Sequence, residues 1–325
     1  MLSSADDSET CGAKNDFAPC VGPAHYPFLL VLDAQARQTG WVLLNGPIVT
    51  RAQQEQYVEM RRAGYQFVGT SSYLTFPRGF EGEALDYQMM CDAWCHCFRE
   101  PERFLRTTAP RALISLSDFV DYRQISPDTV GATPGGEPFD LIYVGATEDW
   151  KREAKNWSLA ARLIPRLCKD LALRALVIGS ANDDFGPSEW ISFTEFLPWS
   201  MLLAYIASSR FLFVPNVMDP SPRVITEALC LDVPILVHRN ILGGWKYVNR
   251  FTGAYFDEES DIAAAARAVC GASVAPRQWF RANYGPYHSG KRLLSLLRSV
   301  DSNLNERGYL RISEAVAERV PGTSR

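Results

Sequence analysis

The stretch that decides the fold is "DPSPRVITEALCLDVPIL", Asp219 to Leu236. The apolar run "FLFVP" precedes it and reads as a strand ending at Pro215; "RVITEAL" reads as a helix, and "PILVH" as the next strand. Strands that are apolar throughout and alternate with helices belong to a parallel sheet covered on both faces. Ligands of such sheets sit outside the carboxyl ends of the strands, where the following helices begin. The loop "NVMDPS" occupies that position, with Ser221 expected as N-cap and Pro222 as first helical residue. Free amides and the positive end of the helix dipole over residues 221–224 would then face a phosphate. Glu227 lies five residues past Pro222, about 7.5 Å further along the axis. From there a carboxylate reaches both hydroxyls of a ribose whose diphosphate rests on the helix start, while Asp219 reaches the other end of the same ligand.

The same alternation extends in both directions. Downstream of Gly136 come strand "LIYVGA", helix "SLAARLIPRL", strand "RALVIGS", short strand "ISFTEF", helix "SMLLAYIASS" and, after the opening stretch, helix "DIAAAARAVC". Upstream, "FLLVLD" and "WVLLNGP" read as strands, and Thr50 caps a helix that stops at Gly64. The segment from Tyr87 to Phe104 reads as helical, and "RALISLSDF" as a strand. The linker is "DYRQISPDTVGATPGGEPFD", with three prolines, three glycines and little to bury.

Length and composition are consistent with two domains: 325 residues, 47% of them hydrophobic. The divisions expected are a flexible arm over 1–25, a first domain over 26–136, a second over 137–282, and a C-terminal helix and tail over 283–325. With 33 basic and 37 acidic residues the net charge is −4, and no basic run argues for nucleic acid or an anionic membrane. The start has no signal-peptide order and no apolar run is long enough to span a bilayer, so a cytoplasmic protein is expected. The eight cysteines sit mostly in apolar segments, as reduced buried thiols do. The cluster "CDAWCHCF" matches no common zinc or iron–sulfur spacing, and no metal site is expected.

The run of Asp219, seven residues, Glu227-Ala228 and then Val233-Pro234 resembles the acid-x7-Glu motif of retaining glycosyltransferases of family 4 type, which have the GT-B fold. "LIYVGATEDWKREAKNW", "ALVIGS", "ISFTEFLPWSMLLAYIASSRFLFVP", "ILGGWKYV" and "TGAYFDEESDIAAAARAV" resemble further segments of that family, in order, over residues 139–270. The resemblance implies two doubly wound, Rossmann-like α/β domains facing each other across a cleft, the first reduced and on the acceptor side. It implies transfer of a sugar from a UDP- or GDP-linked donor to a sugar-bearing or other hydroxyl acceptor, with retention. The nucleotide sugar is then a co-substrate, and no cofactor or metal is implied. Carried over, Lys155 with Lys151 or Arg152 neutralises the diphosphate, Ser221 and Arg223 cradle it, and Glu227 holds the ribose. Asp219 holds sugar hydroxyls, Phe196 and Leu197 lie at the base, and His96 points from the first domain at the donor sugar.

Three departures stand out: Asp219 for Glu, Pro222 for Gly and Asp232 for Gly. In the first domain the expected glycine-rich loop is reduced to Gly46, and the turn at Gly69-Thr70-Ser71-Ser72 reads either as a hydroxyl-binding loop or as a capping turn. These features leave a second reading open, a non-catalytic nucleotide-sugar or glycan-binding protein derived from such an enzyme. An isomerase would need a carboxylate pair in the first domain, and none is evident. The final apolar stretch, with Leu293, Leu294, Leu296, Leu297 and Val300 on one side, reads as an amphipathic helix that in this fold packs back on the first domain.

Overall fold

The computed structural model describes residues 25–71, 76–77, 85–131, 133, 138–146, 148–179, 184–185, 188–304 and 308–313. Residues 1–24 of the expected arm, Ser72, the boundary at Gly136 and the chain after Ser313 lie outside the described residues.

The first sheet begins with a hairpin, β1 (Phe28–Leu32) and β2 (Gln38–Leu44), paired antiparallel. Its turn is held by Asp33, whose carboxylate accepts from the amides of Gln35 and Arg37. Helix α1 (Arg51–Arg62) opens on a capping box: Thr50 Oγ1 accepts from Gln53 N, and Gln53 Oε1 accepts from Thr50 N. Strand β3 (Gln66–Thr70), the single turn α2 (Tyr87–Met90), β4 (Ala93–His96) and β5 (Arg111–Leu113) follow.

The helix expected from Tyr87 to Phe104 therefore stops after one turn. Residues 93–96 are buried on both sides within the sheet, and a short wholly apolar run carries no periodicity to separate strand from helix. Asp92 enforces the change by accepting from Phe67 N and pairing with Arg61, which pins the chain alongside β3. In the turn after β3, Ser71 is buried, and its hydroxyl accepts from Cys97 N at 3.1 Å.

The second sheet comprises β6 (Leu141–Val144), α3 (Asp149–Ala154), α4 (Trp157–Leu171), β7 (Ala175–Ile178), β8 (Ile191–Thr194), α5 (Trp199–Ala207), β9 (Phe211–Val214), α6 (Arg223–Cys230), β10 (Ile235–His238), β11 (Gly253–Phe256) and α7 (Ile262–Gly271). All its pairings are parallel, in the order β11-β10-β9-β6-β7-β8. Helices α4 and α7 bury one face against Tyr143 and Phe213; α5 and α6 bury the other against Ile142, Leu212 and Val214.

The chain then forms α8 (Pro276–Asn283), α9 (Pro286–Arg298) and β12 (Arg311–Ile312). Leu293, Leu296 and Leu297 of α9 pack with Leu29, Val31 and Trp41 of the first sheet, and β12 adds to that sheet beside β1. The first sheet then reads β12-β1-β2-β3-β4-β5, parallel from β2 to β5. Two α/β domains thus share one chain, linked forward after β5 and back through α8 and α9. Among the described residues no helix is long and apolar enough to cross a membrane, and no group of three or more His, Cys, Asp or Glu is arranged to hold a metal ion.

Candidate functional site

In the second sheet β6 and β9 are neighbours, yet the helices that follow them, α4 and α6, cover opposite faces. The loops leaving these two strands therefore part at their carboxyl ends, the switch point at which the ligand crevice of such sheets lies. Asn156 bridges the two loops, its side-chain amide donating to Pro215 O at 3.1 Å. Lys155 caps α3 on the β6 side of this crevice, and the β9 loop supplies Asp219.

Asp219 is held in place by its own loop. Oδ2 accepts from Asn216 Nδ2 at 3.0 Å and Oδ1 from Ser221 N at 3.2 Å. The loop is fixed in turn to the segment after β10, where Leu242 N donates to Val217 O and Gly243 N to Asp219 O. Gly243 is required by contact: a Cβ there would lie 1.7 Å from Pro220 O. Burial pushes the Asp219 carboxyl above its ordinary range, with Lys155, Asn216 and Ser221 N opposing. Burial also pulls the Lys155 ammonium down; the Asp219 charge opposes this, Lys151 adds to it, and Glu227 opposes it. Lys155 thus lies in the field of both acids, and among the described residues it has no direct ion pair with either.

Glu227 is on the inner side of α6 and only 4% exposed. Its Oε1 accepts from Trp199 Nε1 at 2.9 Å and lies 3.2 Å from Arg223 Nε. Arg223, expected to cradle a diphosphate, pairs with Glu227. Phe196 is 56% exposed and packs close to Gly179 at the end of β7, where φ is +81° and a Cβ would stand 3.0 Å from the ring. Leu197 packs inward against the core under α5 and α6.

The remaining predicted residues diverge from this group. Ser221 is not an N-cap, since α6 begins at Arg223 with Pro222 before it and no side-chain cap. Its hydroxyl is taken by the first domain, 3.0 Å from Ser117 Oγ and 3.3 Å from Ser117 N. Lys151 borders the crevice and pairs with Glu148 at 2.6 Å. Arg152 turns to Asp184 and lies over the Trp157 ring. His96 ends β4 in the first sheet, 6% exposed, stacked on Phe98 and, among the described residues, with Nδ1 unpartnered. Burial, helped by Arg111 and Lys246, lowers its pKa to about 4, so the ring is neutral near pH 7. The next residue, Cys97, has its thiol pushed up by burial, and the Asp219 charge adds to that rise. The Cys97 carbonyl accepts from Trp245 Nε1 at 2.8 Å, so the end of β4 meets the segment after β10 to which the Asp219 loop is fixed.

Sequence reasoning missed Trp199, Asn216 and the first-domain contacts. A tryptophan at the first residue of a helix, directly after Pro198 and ahead of a ligand-side loop, was the available signal for Trp199. The contacts of Ser117 and Asp118 with residues 221, 246 and 247 join positions more than a hundred residues apart and leave no local trace.

No protein-family model matches the chain, and no curated protein matches it. Solved structures do. A trehalose-6-phosphate synthase from Burkholderia multivorans superposes with a TM-score of 0.55 at 13% identity, covering 81% of this chain and 72% of its own. A lipopolysaccharide outer core galactosyltransferase gives 0.54 at 12%, covering 76% and 72%. A glycosyltransferase involved in avilamycin A biosynthesis gives 0.52 at 15%, covering 73% and 68%. With two facing α/β domains and these neighbours, the chain has the GT-B fold.

Proposed function

We propose that this chain is a cytoplasmic glycosyltransferase that moves a sugar from a nucleotide-sugar donor, UDP- or GDP-linked, to a hydroxyl acceptor, with retention and without a metal ion. The observation that carries this reading is the placement of Lys155, at the end of α3 after β6, and of Asp219 and Glu227, in the loop and helix after β9, at the carboxyl ends of two neighbouring strands. Lys155 lies in the field of both acids, which offers one positive charge for a diphosphate and carboxylates for the hydroxyls of a nucleoside diphosphate sugar. Glu227 accepts the ribose hydroxyls, Lys155 and the amides at the start of α6 hold the diphosphate, and Phe196 and Leu197 border the base. A carboxylate has about four acceptor sites, so Asp219, with two used, keeps capacity for sugar hydroxyls.

In the reaction the acceptor oxygen attacks the anomeric carbon from the face the diphosphate leaves. The bond from that carbon to the phosphate oxygen breaks with its electron pair staying on the oxygen, which takes the acceptor proton. The chain contributes position and charge: Lys155 stabilises the oxygen as it becomes negative, and the neutral His96 ring stands on the first-domain side of the sugar.

One observation favours a second reading, a non-catalytic nucleotide-sugar or glycan-binding protein. Lys151 and Arg152 each have an acidic partner of their own, which leaves Lys155 as the unpaired cation of the three among the described residues. Calorimetric titration with UDP-sugars and GDP-sugars, followed by an assay for slow donor hydrolysis, separates the two. Binding with hydrolysis supports the transferase; binding without any hydrolysis or transfer supports the binder; no binding removes both.

A further inference from the structure

Glu227 is nearly sealed in protein, and the indole N–H that donates to it and the Arg223 guanidinium that pairs with it both meet the same oxygen, Oε1. Among the described residues Oε2 has no donor. The terminal torsion of a glutamate is broad, so an otherwise unrestrained carboxylate would turn freely between these contacts and a ligand. Arg223 is a weak restraint, because its side chain is 67% exposed and flexible. Trp199 is a stronger one: a rigid indole on the first residue of α5, set by Pro198 before it, with its N–H 2.9 Å from Oε1.

We propose that Trp199 is a positioning residue for nucleoside recognition, its indole N–H fixing the Glu227 carboxylate so that Oε2 faces the ribose hydroxyls. The inference rests on the nucleotide-sugar reading above and adds to it a determinant of selectivity for ribose over sugars lacking those hydroxyls. Trp199 is 49% exposed, so its ring is also available for stacking. A role limited to stacking on the base would use the ring and not the N–H, and the two roles separate by experiment.

Trp199→Phe keeps a ring and removes the donor. UDP, GDP and ADP are titrated by calorimetry against the wild type and Trp199→Phe, together with the 2′,3′-dideoxy form of whichever binds. The wild type is expected to prefer the ribose form, and Trp199→Phe to reduce that preference about tenfold, the worth of a hydrogen bond to a charged acceptor. Affinity for the dideoxy form should stay as in the wild type. An unchanged ratio, or equal weakening of both forms, overturns the positioning role while the nucleotide site stands. Failure of the wild type to bind any of the three overturns the nucleotide reading and the positioning role together.

Discussion

Asp118 and Lys246 form a 2.7 Å ion pair between the two domains, with the Asp118 side chain fully buried and that of Lys246 4% exposed. The Tyr247 hydroxyl also donates to Asp118, and Ser115 and Ser117 hydroxyls surround it. The main-chain oxygen of Asp118 accepts from Gly285 N at 2.9 Å and Ser289 Oγ at 2.8 Å. One acid thus fastens both interdomain crossings to the loop after β10. Ser117 extends the same network to Ser221, in the loop that carries Asp219.

Breaking a buried pair by removing one partner leaves an uncompensated charge, at a cost of about 3–5 kcal/mol. Lys246→Met is expected to lose stability in that range by urea unfolding. Adding Asp118→Asn should recover most of the loss, because it removes the stranded charge. Equal stability of the Lys246→Met single variant and the wild type would mean the pair contributes nothing.

Gly243→Ala should disable the crevice without touching a charged group. The added methyl collides with Pro220 O, in the loop that holds Asp219. The expected result is loss of nucleotide binding together with a lowered melting temperature, read by calorimetry and thermal unfolding.

His96 gives a pH signature. Its folded pKa of about 4 lies below the ordinary 6.5, so between those values the unfolded chain binds more protons at this position. Its contribution to stability is complete above about pH 6.5, falls as the pH drops through that window, and levels off below about 4. His96→Gln, neutral throughout, should flatten this part of the stability curve measured by urea unfolding from pH 7 to 4. A curve of the same slope in the variant would assign the effect to other groups.

Lys155→Met should weaken a nucleoside diphosphate about tenfold, the worth of one charge-assisted contact, and leave the bare nucleoside unaffected. Because burial lowers the Lys155 pKa, wild-type affinity should decline with rising pH before an ordinary lysine would titrate, and the variant should lack that decline. Isothermal titration over a pH series measures both.

Much of the second domain is legible in sequence because its strands are short apolar runs bounded by clear helix signals. The spacing from the β9 loop to Glu227 survives a one-residue shift of the helix start. Ser221 illustrates the limit: its chain position matched an N-cap, but a hydroxyl of the other domain competes for it. In the first domain, "AWCHCF" gives no periodicity, and the decision for strand comes from Asp92 binding Arg61 and Phe67 N, 31 and 25 residues away. Trp199 was visible as a residue type, but its partner Glu227, 28 positions on, was not.

The most direct test is calorimetric titration of the purified chain with UDP, GDP and ADP in EDTA, alongside Glu227→Gln. The expected result is micromolar binding of one nucleotide, unaffected by EDTA and weakened about tenfold or more in the variant through loss of the charged acceptor. Absence of binding to all three, or a Glu227→Gln variant that binds as tightly as the wild type, would contradict the assignment of this crevice to a nucleotide sugar.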